Sequence, residues 1–230
     1  MKRILVLAVA LMLTATAFSQ KNITQFMGIP VDGTKSAMIQ KLKAKGFTYN
    51  TSRDCLEGQF NGINVHLYVV TNNNKVYRIM VADENGQSVG NIRIRFNRLC
   101  SQFENTGKYV PSNFLGKYAL SDDEDISFEM SVHNKRYQAS YYQISEEDKS
   151  DTTGLSDYWT SRVLEDYGEE KWDSMSEEEQ QNALLAMAIE HRLERISHKS
   201  VWFMIDKPIG EYRIFMYYDN RLNQANGEDL

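Results

Sequence analysis

The sequence predicts an α+β fold in which helices pack on one face of an antiparallel sheet. Three observations predict it. Apolar residues recur at helical spacing in residues 34–45, 88–104 and 176–196. Residues 55–83 and 200–219 instead alternate apolar and polar side chains with period two. Short Asn-, Gly- and Pro-containing turns separate the alternating segments, as in hairpins.

Taken in order, Met1-Lys2-Arg3 is a short positive head, and residues 4–13 are an unbroken apolar run of ten. That run is too short to span a bilayer as a mature helix. Small residues follow, with Ala17 and Ser19 at the two positions a signal peptidase reads. The pattern predicts a secretory signal peptide over residues 1–19, cleaved before Gln20. No Cys stands at the cleavage site to carry a lipid, and no later stretch reaches the roughly 18 apolar residues of a membrane helix. The expected product is soluble and exported, to a bacterial periplasm or exterior. Removing 19 of 230 residues leaves 211, enough for one large domain or two small ones. Removing Lys2 and Arg3 from 26 basic residues leaves 24 against 31 acidic ones, a net charge of −7. That balance, with no clustered Lys/Arg run, argues against nucleic acid or an anionic membrane as partner.

Residues 34–45 predict a helix with Thr34 as N-cap and Met38, Ile39 and Leu42 as its stripe. Gly46 falls where a left-handed C-cap belongs, and Phe47 where a Schellman ending packs back on Leu42. Strands are expected over 47–50, 55–60, 63–71 and 75–83, with Asn72-Asn73-Asn74 as a hairpin loop. Gly58 and Gly62 around Phe60 suggest a tight bend or bulge. Residues 88–104 predict a helix burying Val89, Ile92, Phe96, Leu99, Cys100 and Phe103. Residues 111–125 read as a loop with a short strand at 115–119, and 126–132 with 137–144 as a hairpin. Residues 146–154 read as a polar linker and 156–167 as helical. Ser176 and Glu179 form a capping box for a helix ending near residue 196. Its stretch 183–189 is apolar almost all round, which implies burial on more than one side. A last hairpin is expected over 200–206 and 211–219.

This order is one plan used twice: residues 20–87 form a first module and 88–230 a second, with a helical insert at about 155–197. The helix ending at Gly46-Phe47, followed by Leu56-Glu57-Gly58-Gln59-Phe60-Asn61-Gly62, resembles the tandem helix-plus-four-strand modules of β-lactamase-inhibitor-protein-like secreted proteins. The insert departs from that plan. The resemblance implies a protein that binds a partner through the uncovered sheet face and catalyses nothing.

Cys55 and Cys100 are the only cysteines, hence candidates for a bridge in an oxidising compartment. Against it, Cys100 lies on an apolar helical stripe, and Cys55 alternates out of phase with Leu56 and Phe60. The sequence leaves the bridge open.

The second face of the sheet carries the functional signal. Pairing Thr71 with Lys75 places Val65, Leu67, Val69, Tyr77, Ile79 and Val81 toward the helix. The other face then pairs Val70 with Val76, Tyr68 with Arg78 and His66 with Met80. Pairing Ile205 with Tyr212 puts Trp202, Met204, Arg213, Phe215 and Tyr217 on the same side of the C-terminal hairpin. In the 126–144 hairpin the outward set is Glu129, Ser131, Gln138, Ser140 and Tyr142. Three readings compete: the inserted helices cover this face, or it docks a protein, or its rings stack on a carbohydrate or other small ligand. Trp, Tyr and Arg carry most hot-spot energy at protein interfaces, and a soluble monomer seldom exposes a large apolar patch.

Catalytic signals are sparse. The four His are His66, His133, His191 and His198; Glu190-His191 lacks the H-E-x-x-H pattern, and no third ligand accompanies His191 and His198. No G-x-S-x-G or phosphate-cradling Gly loop occurs. The run Asp122-Asp123-Glu124-Asp125 lacks the oxygen spacing and central Gly of a calcium loop. No cofactor or metal is expected. The leading expectation is an exported, non-catalytic protein that binds another protein or an envelope ligand such as carbohydrate. Its candidate residues are Tyr68, Arg78, Trp202, Arg213, Phe215 and Tyr217. The alternatives are a hydrolase of the cell envelope with an unassigned site, and a structural or assembly role.

Overall fold

The computed structural model describes residues 22–113, 117–208 and 210–225. The expected signal peptide lies outside the described residues, as do Leu115 and Gly116 of the expected 115–119 strand; residues 117–119 are not strand. The chain divides into two compact units, one of Met1–Gln143 with His198–Leu230, the other Ile144–Ser197.

The first unit opens with a two-stranded hairpin, β1 (Gln25–Phe26) and β2 (Ile29–Pro30), turned by Met27 and Gly28 at φ 51° and 78°. Helix α1 (Lys35–Ala44) and strands β3 (Thr48–Asn50), β4 (Cys55–Phe60), β5 (Ile63–Asn72) and β6 (Lys75–Asp83) follow. Next come helix α2 (Val89–Asn105), strand β7 (Tyr109–Pro111), helix α3 (Ile126–Val132) and strand β8 (Gln138–Gln143). After the second unit, β9 (Lys199–Asp206) and β10 (Arg213–Asn220) complete one antiparallel eight-stranded sheet of order β3-β4-β5-β6-β10-β9-β8-β7. A helix plus four strands thus occurs twice. The two sets of four meet at their last strands, β6 against β10, so their order is mirrored about that seam.

Local chemistry explains the elements. Thr34 accepts from the Ala37 amide at 3.3 Å and caps α1. The Gly46 amide donates to Lys43 O and the Phe47 amide to Leu42 O, both Schellman bonds, with Gly46 at φ 99°. Phe47 then packs against the sheet so closely that a Cβ on Gly58 would lie 2.6 Å from its Cδ1. Gly58 is therefore a point of close approach rather than the expected bulge, and the bend belongs to Asn61-Gly62. Both have positive φ, the two-residue turn that matches strand twist.

The core lies between the helices and one sheet face. Met38 and Leu42 of α1 and Ile92, Phe96, Leu99, Cys100 and Phe103 of α2 are buried there. They meet Leu67, Ile79, Val81, Phe203, Ile205, Ile214 and Met216 from the sheet. Phe26 adds an edge-on contact to Tyr218 at 4.9 Å. Asp83 at the end of β6 is buried and takes a bidentate pair from Arg95 of α2, at 2.6 and 2.8 Å.

Three expectations for this unit are corrected, and the question of the bridge is answered. Residues 126–132 form helix rather than strand: the Asp125 carboxylate accepts from the Phe128 amide and starts a turn, so Phe128 and Val132 share an exposed side and only Ile126 is buried. Glu129 and Ser131 therefore lie on α3 and are no part of the sheet face. The β5–β6 register also differs. Asn73 and Asn74 both take positive φ and form a two-residue turn, and a bulge at Val70/Thr71 shifts the pairing. Tyr68 then faces Met80 and Val70 faces Arg78, so the Tyr68–Arg78 and His66–Met80 pairs do not form, and Val76 turns into the core. In the C-terminal hairpin Ile205 pairs with Ile214 rather than Tyr212, a shift of two that leaves both faces as expected. Finally, Cys55 and Cys100 are both free. Cys100 is on the helical side, and Cys55 alternates with inward Leu56 and faces the other way.

The second unit holds α4 (Glu146–Ser150), α5 (Leu155–Asp166), α6 (Glu169–Ser174) and α7 (Glu177–Ile196). The expected linker at 146–154 contains α4 because Ser145 and Asp148 form a capping box. The Ser176–Glu179 box forms as expected. Trp159 Nε1 donates to Leu184 O at 3.1 Å and Gln180 Nε2 to Trp172 O at 2.8 Å, tying α5 and α6 to α7. Of the apolar run, Ala183 and Met187 are buried, but Leu185 and Ile189 are 61% and 43% exposed. That run is covered on one side only. Among the described residues no helix is long and apolar enough to cross a membrane.

Candidate functional site

The sheet face opposite α1 and α2 can be followed strand by strand through its register. One row runs Tyr68, Met80, Tyr217, Trp202, Ser140 across β5, β6, β10, β9 and β8. The row on one side is Val70, Arg78, Asp219, Ser200, Tyr142; on the other it is His66, Ala82, Phe215, Met204, Gln138. Five of the six candidate residues fall in these three rows, and Arg213 stands one pair further along, opposite Asp206. All six are half-buried. A one-residue slip in any strand would invert its faces; the bulge beside Arg78 lets Val76 turn into the core while Arg78 stays on this face, and the unbroken β6–β10 ladder sets Arg78 opposite Asp219.

Arg78, Trp202 and Tyr217 come together; the other three stand apart. The Trp202 and Tyr217 rings stack at 3.9 Å with 17° between planes. The Arg78 guanidinium lies 4.9 Å from the Tyr217 ring centroid and 5.7 Å from that of Trp202. The organising group is Asp219, which the sequence reading missed. It receives Arg78 Nε at 2.6 Å, Arg78 Nη2 at 2.8 Å and Trp202 Nε1 at 3.0 Å. The Asp219 side chain is only 4% exposed and that of Arg78 25%. The hydrogen bonds to Asp219 push the Arg78 pKa up, and burial pushes up the phenols of Tyr217 and Tyr68. The available signal was parity: Asp219 lies two residues beyond Tyr217, an acid on the aromatic side of its strand.

Arg213 has a different task. Its Nη1 donates to Glu84 O at 2.6 Å and Asp83 O at 3.3 Å, which ties β10 to the end of β6. Phe215 lies between Ala82 and Met204, and Tyr68 opposite Met80.

Beside Trp202 the face sinks into a depression of about 440 Å3. Ser140, Gln138, Ser200, Arg221 and Gln224 line it together with Arg78, Trp202 and Asp219 of the cluster. Arg221 follows β10 in a short 3-10 turn and is exposed. The His side chains do not converge. His66 is 4.0 Å from Glu57, His133 3.0 Å from Glu129, His191 packs on Tyr158, and His198 lies beyond the end of α7 against Asn22 O. Among the described residues no group of three His, Cys, Asp or Glu side chains could hold a metal ion.

Compared with protein-family models, with curated proteins and with solved structures, the chain gives no match.

Proposed function

We propose that this chain is an exported, non-catalytic binding protein whose outer sheet face engages another protein or an envelope ligand such as carbohydrate. One observation carries this reading: three consecutive cross-strand rows hold Tyr68, Arg78, Phe215, Tyr217 and Trp202 on one continuous surface. These are the residue types that dominate recognition energetics. Within the cluster, Arg78 and Asp219 neutralise each other in a bidentate pair. That arrangement fixes the rings in place and commits the Asp219 carboxylate to Arg78 and Trp202. The leader pattern of residues 1–19 supports export.

The test uses the protein beginning at Gln20, immobilised and exposed to separated protein and polysaccharide fractions of the native envelope. Retention from one fraction is expected, reduced at least tenfold by Tyr68→Ala and by Phe215→Ala, with thermal midpoints within a few degrees of the parent. Retention unaffected by both substitutions would remove the outer face from the function.

A further inference from the structure

Resting on the reading of the outer face as a binding surface, we propose that the depression beside Trp202 is a subsite for an acidic sugar, a pyranose bearing a carboxylate. Its volume of about 440 Å3 lies within the roughly 300–1,000 Å3 of small-molecule sites. Three features define the occupant.

The first is the ring. Tyr217 covers one face of Trp202 at 3.9 Å. On the other side the strand neighbour is Ser140 on β8, whose side chain is too small to cover an indole. The half-buried Trp202 thus forms one wall of the depression, and an indole is a surface on which the C–H face of a pyranose stacks. The Asp219 bond to its Nε1 holds that wall upright.

The second is a set of uncommitted neutral polar groups. Ser200 is fully buried and its Oγ has no hydrogen-bond partner among the described residues. A buried hydroxyl left so is costly, and a ligand group that pairs it removes that cost. Ser140, Gln138 and Gln224 add hydroxyl and carboxamide groups to the same lining. A flat hydrocarbon ligand would leave all of them unpaired. A lone inorganic anion would leave the Trp202 wall unused.

The third is charge. Asp219 is neutralised by Arg78, whereas Arg221 lines the depression without an acidic partner among the described residues. The site therefore carries one excess positive charge in a chain whose net charge is −5. A guanidinium beside hydroxyl acceptors and an aromatic wall selects a carboxylated sugar over a neutral one.

The experiment is a calorimetric titration of the protein beginning at Gln20 with trimers of galacturonate, glucuronate and mannuronate, a neutral maltotriose, and inorganic phosphate. At least one uronate trimer is expected to bind, at least tenfold more tightly than maltotriose and phosphate. Arg221→Gln, at an exposed turn, should weaken that binding at least tenfold, and Ser140→Phe should abolish it by filling the space before Trp202. Absence of binding by all three uronates overturns the proposal. Equal affinity for maltotriose overturns its acidic part, and equal affinity for phosphate its sugar part. If the uronates fail while Tyr68→Ala still weakens envelope retention, the subsite falls and the binding face stands. If retention is also indifferent to Tyr68, both fall.

Discussion

Arg78 and Asp219 stand 141 residues apart in the chain and meet side by side across the seam between β6 and β10, joined by two parallel hydrogen bonds of 2.6 and 2.8 Å. The seam is where the first helix-plus-four-strand set meets the second. Arg95 and Asp83 form a second bidentate pair on the opposite, helical side. The sheet is thus pinned on both faces near its middle by ions rather than by rings alone.

Replacing Asp219 by Asn should cost about 2 kcal/mol, between the values typical of exposed and of fully buried pairs, because Arg78 keeps part of its surface in water. Urea unfolding of Asp219→Asn against the parent measures it. Arg78→Lys should cost a similar amount, since an ammonium cannot make the parallel fork. A loss below a few tenths in both would make the pair an incidental surface contact.

Trp202 serves both the cluster and the proposed site, so its removal is not silent. Trp202→Ala loses the Tyr217 stack and leaves one Asp219 contact unmade, an expected cost of about 1–3 kcal/mol. Trp202→Phe keeps a ring in the row and should cost about 1 kcal/mol or less. Thermal midpoints of the two variants should therefore separate; equal losses would locate the effect in the bond to Asp219, which both variants lose, rather than in the stacked ring.

Periodicity made the faces legible and left the pairings illegible. Alternation assigned Trp202, Phe215 and Tyr217 to one side and Phe203, Ile214 and Met216 to the other, because a shift of two residues does not change a face. The exact partner of Arg78 depended on the Asn73-Asn74 turn and a bulge, features that one residue of loop length decides. Residues 126–132 alternate as a strand would, yet the Asp125 cap wins over a pattern only seven residues long. The β1–β2 hairpin has two residues per strand and no period to read. Asp219 and Ser200 acquire their significance from neighbours on other strands, which a single sequence does not pair.

Gly58 tests the close approach of Phe47. An added Cβ would lie 2.6 Å from the Phe47 ring, so Gly58→Ala should destabilise by about 1–3 kcal/mol, the usual penalty for overpacking. A Gly58→Ala/Phe47→Leu double variant should lose less than the sum of the two singles, because the second change removes the clash. Strict additivity in urea unfolding would place the cost in backbone conformation instead.

The two thiols should be silent in the native protein. Both are buried, and burial pushes the Cys100 pKa up to about 12 and raises that of Cys55. Since the thiolate is the reactive form, a colorimetric disulfide reagent should label neither in buffer and both in guanidinium without reductant. Absence of labelling in guanidinium would mean that the two are bridged after all.

Glu124 and Tyr137 predict opposite limbs of a pH profile. The Lys135 ammonium, 2.6 Å away, and then the Tyr137 hydroxyl hold the Glu124 carboxyl below its ordinary 4.5. A carboxyl with a depressed folded value contributes stability that is complete above 4.5 and lost as pH falls through the folded value. Burial, then the Glu124 carboxylate, raises the Tyr137 phenol above its ordinary 10.0. That contribution is complete below 10.0 and lost as pH rises through the folded value. The thermal midpoint should therefore be nearly level between about pH 5 and 9 and fall on both sides. Glu124→Gln should start lower at pH 7 and lose less on acidification to pH 3, because one of the groups that must take up a proton is gone. On the alkaline side the variant should still fall, since burial of Tyr137 remains. Parallel acid limbs for parent and Glu124→Gln would show that the pair around Lys135 contributes nothing to acid stability.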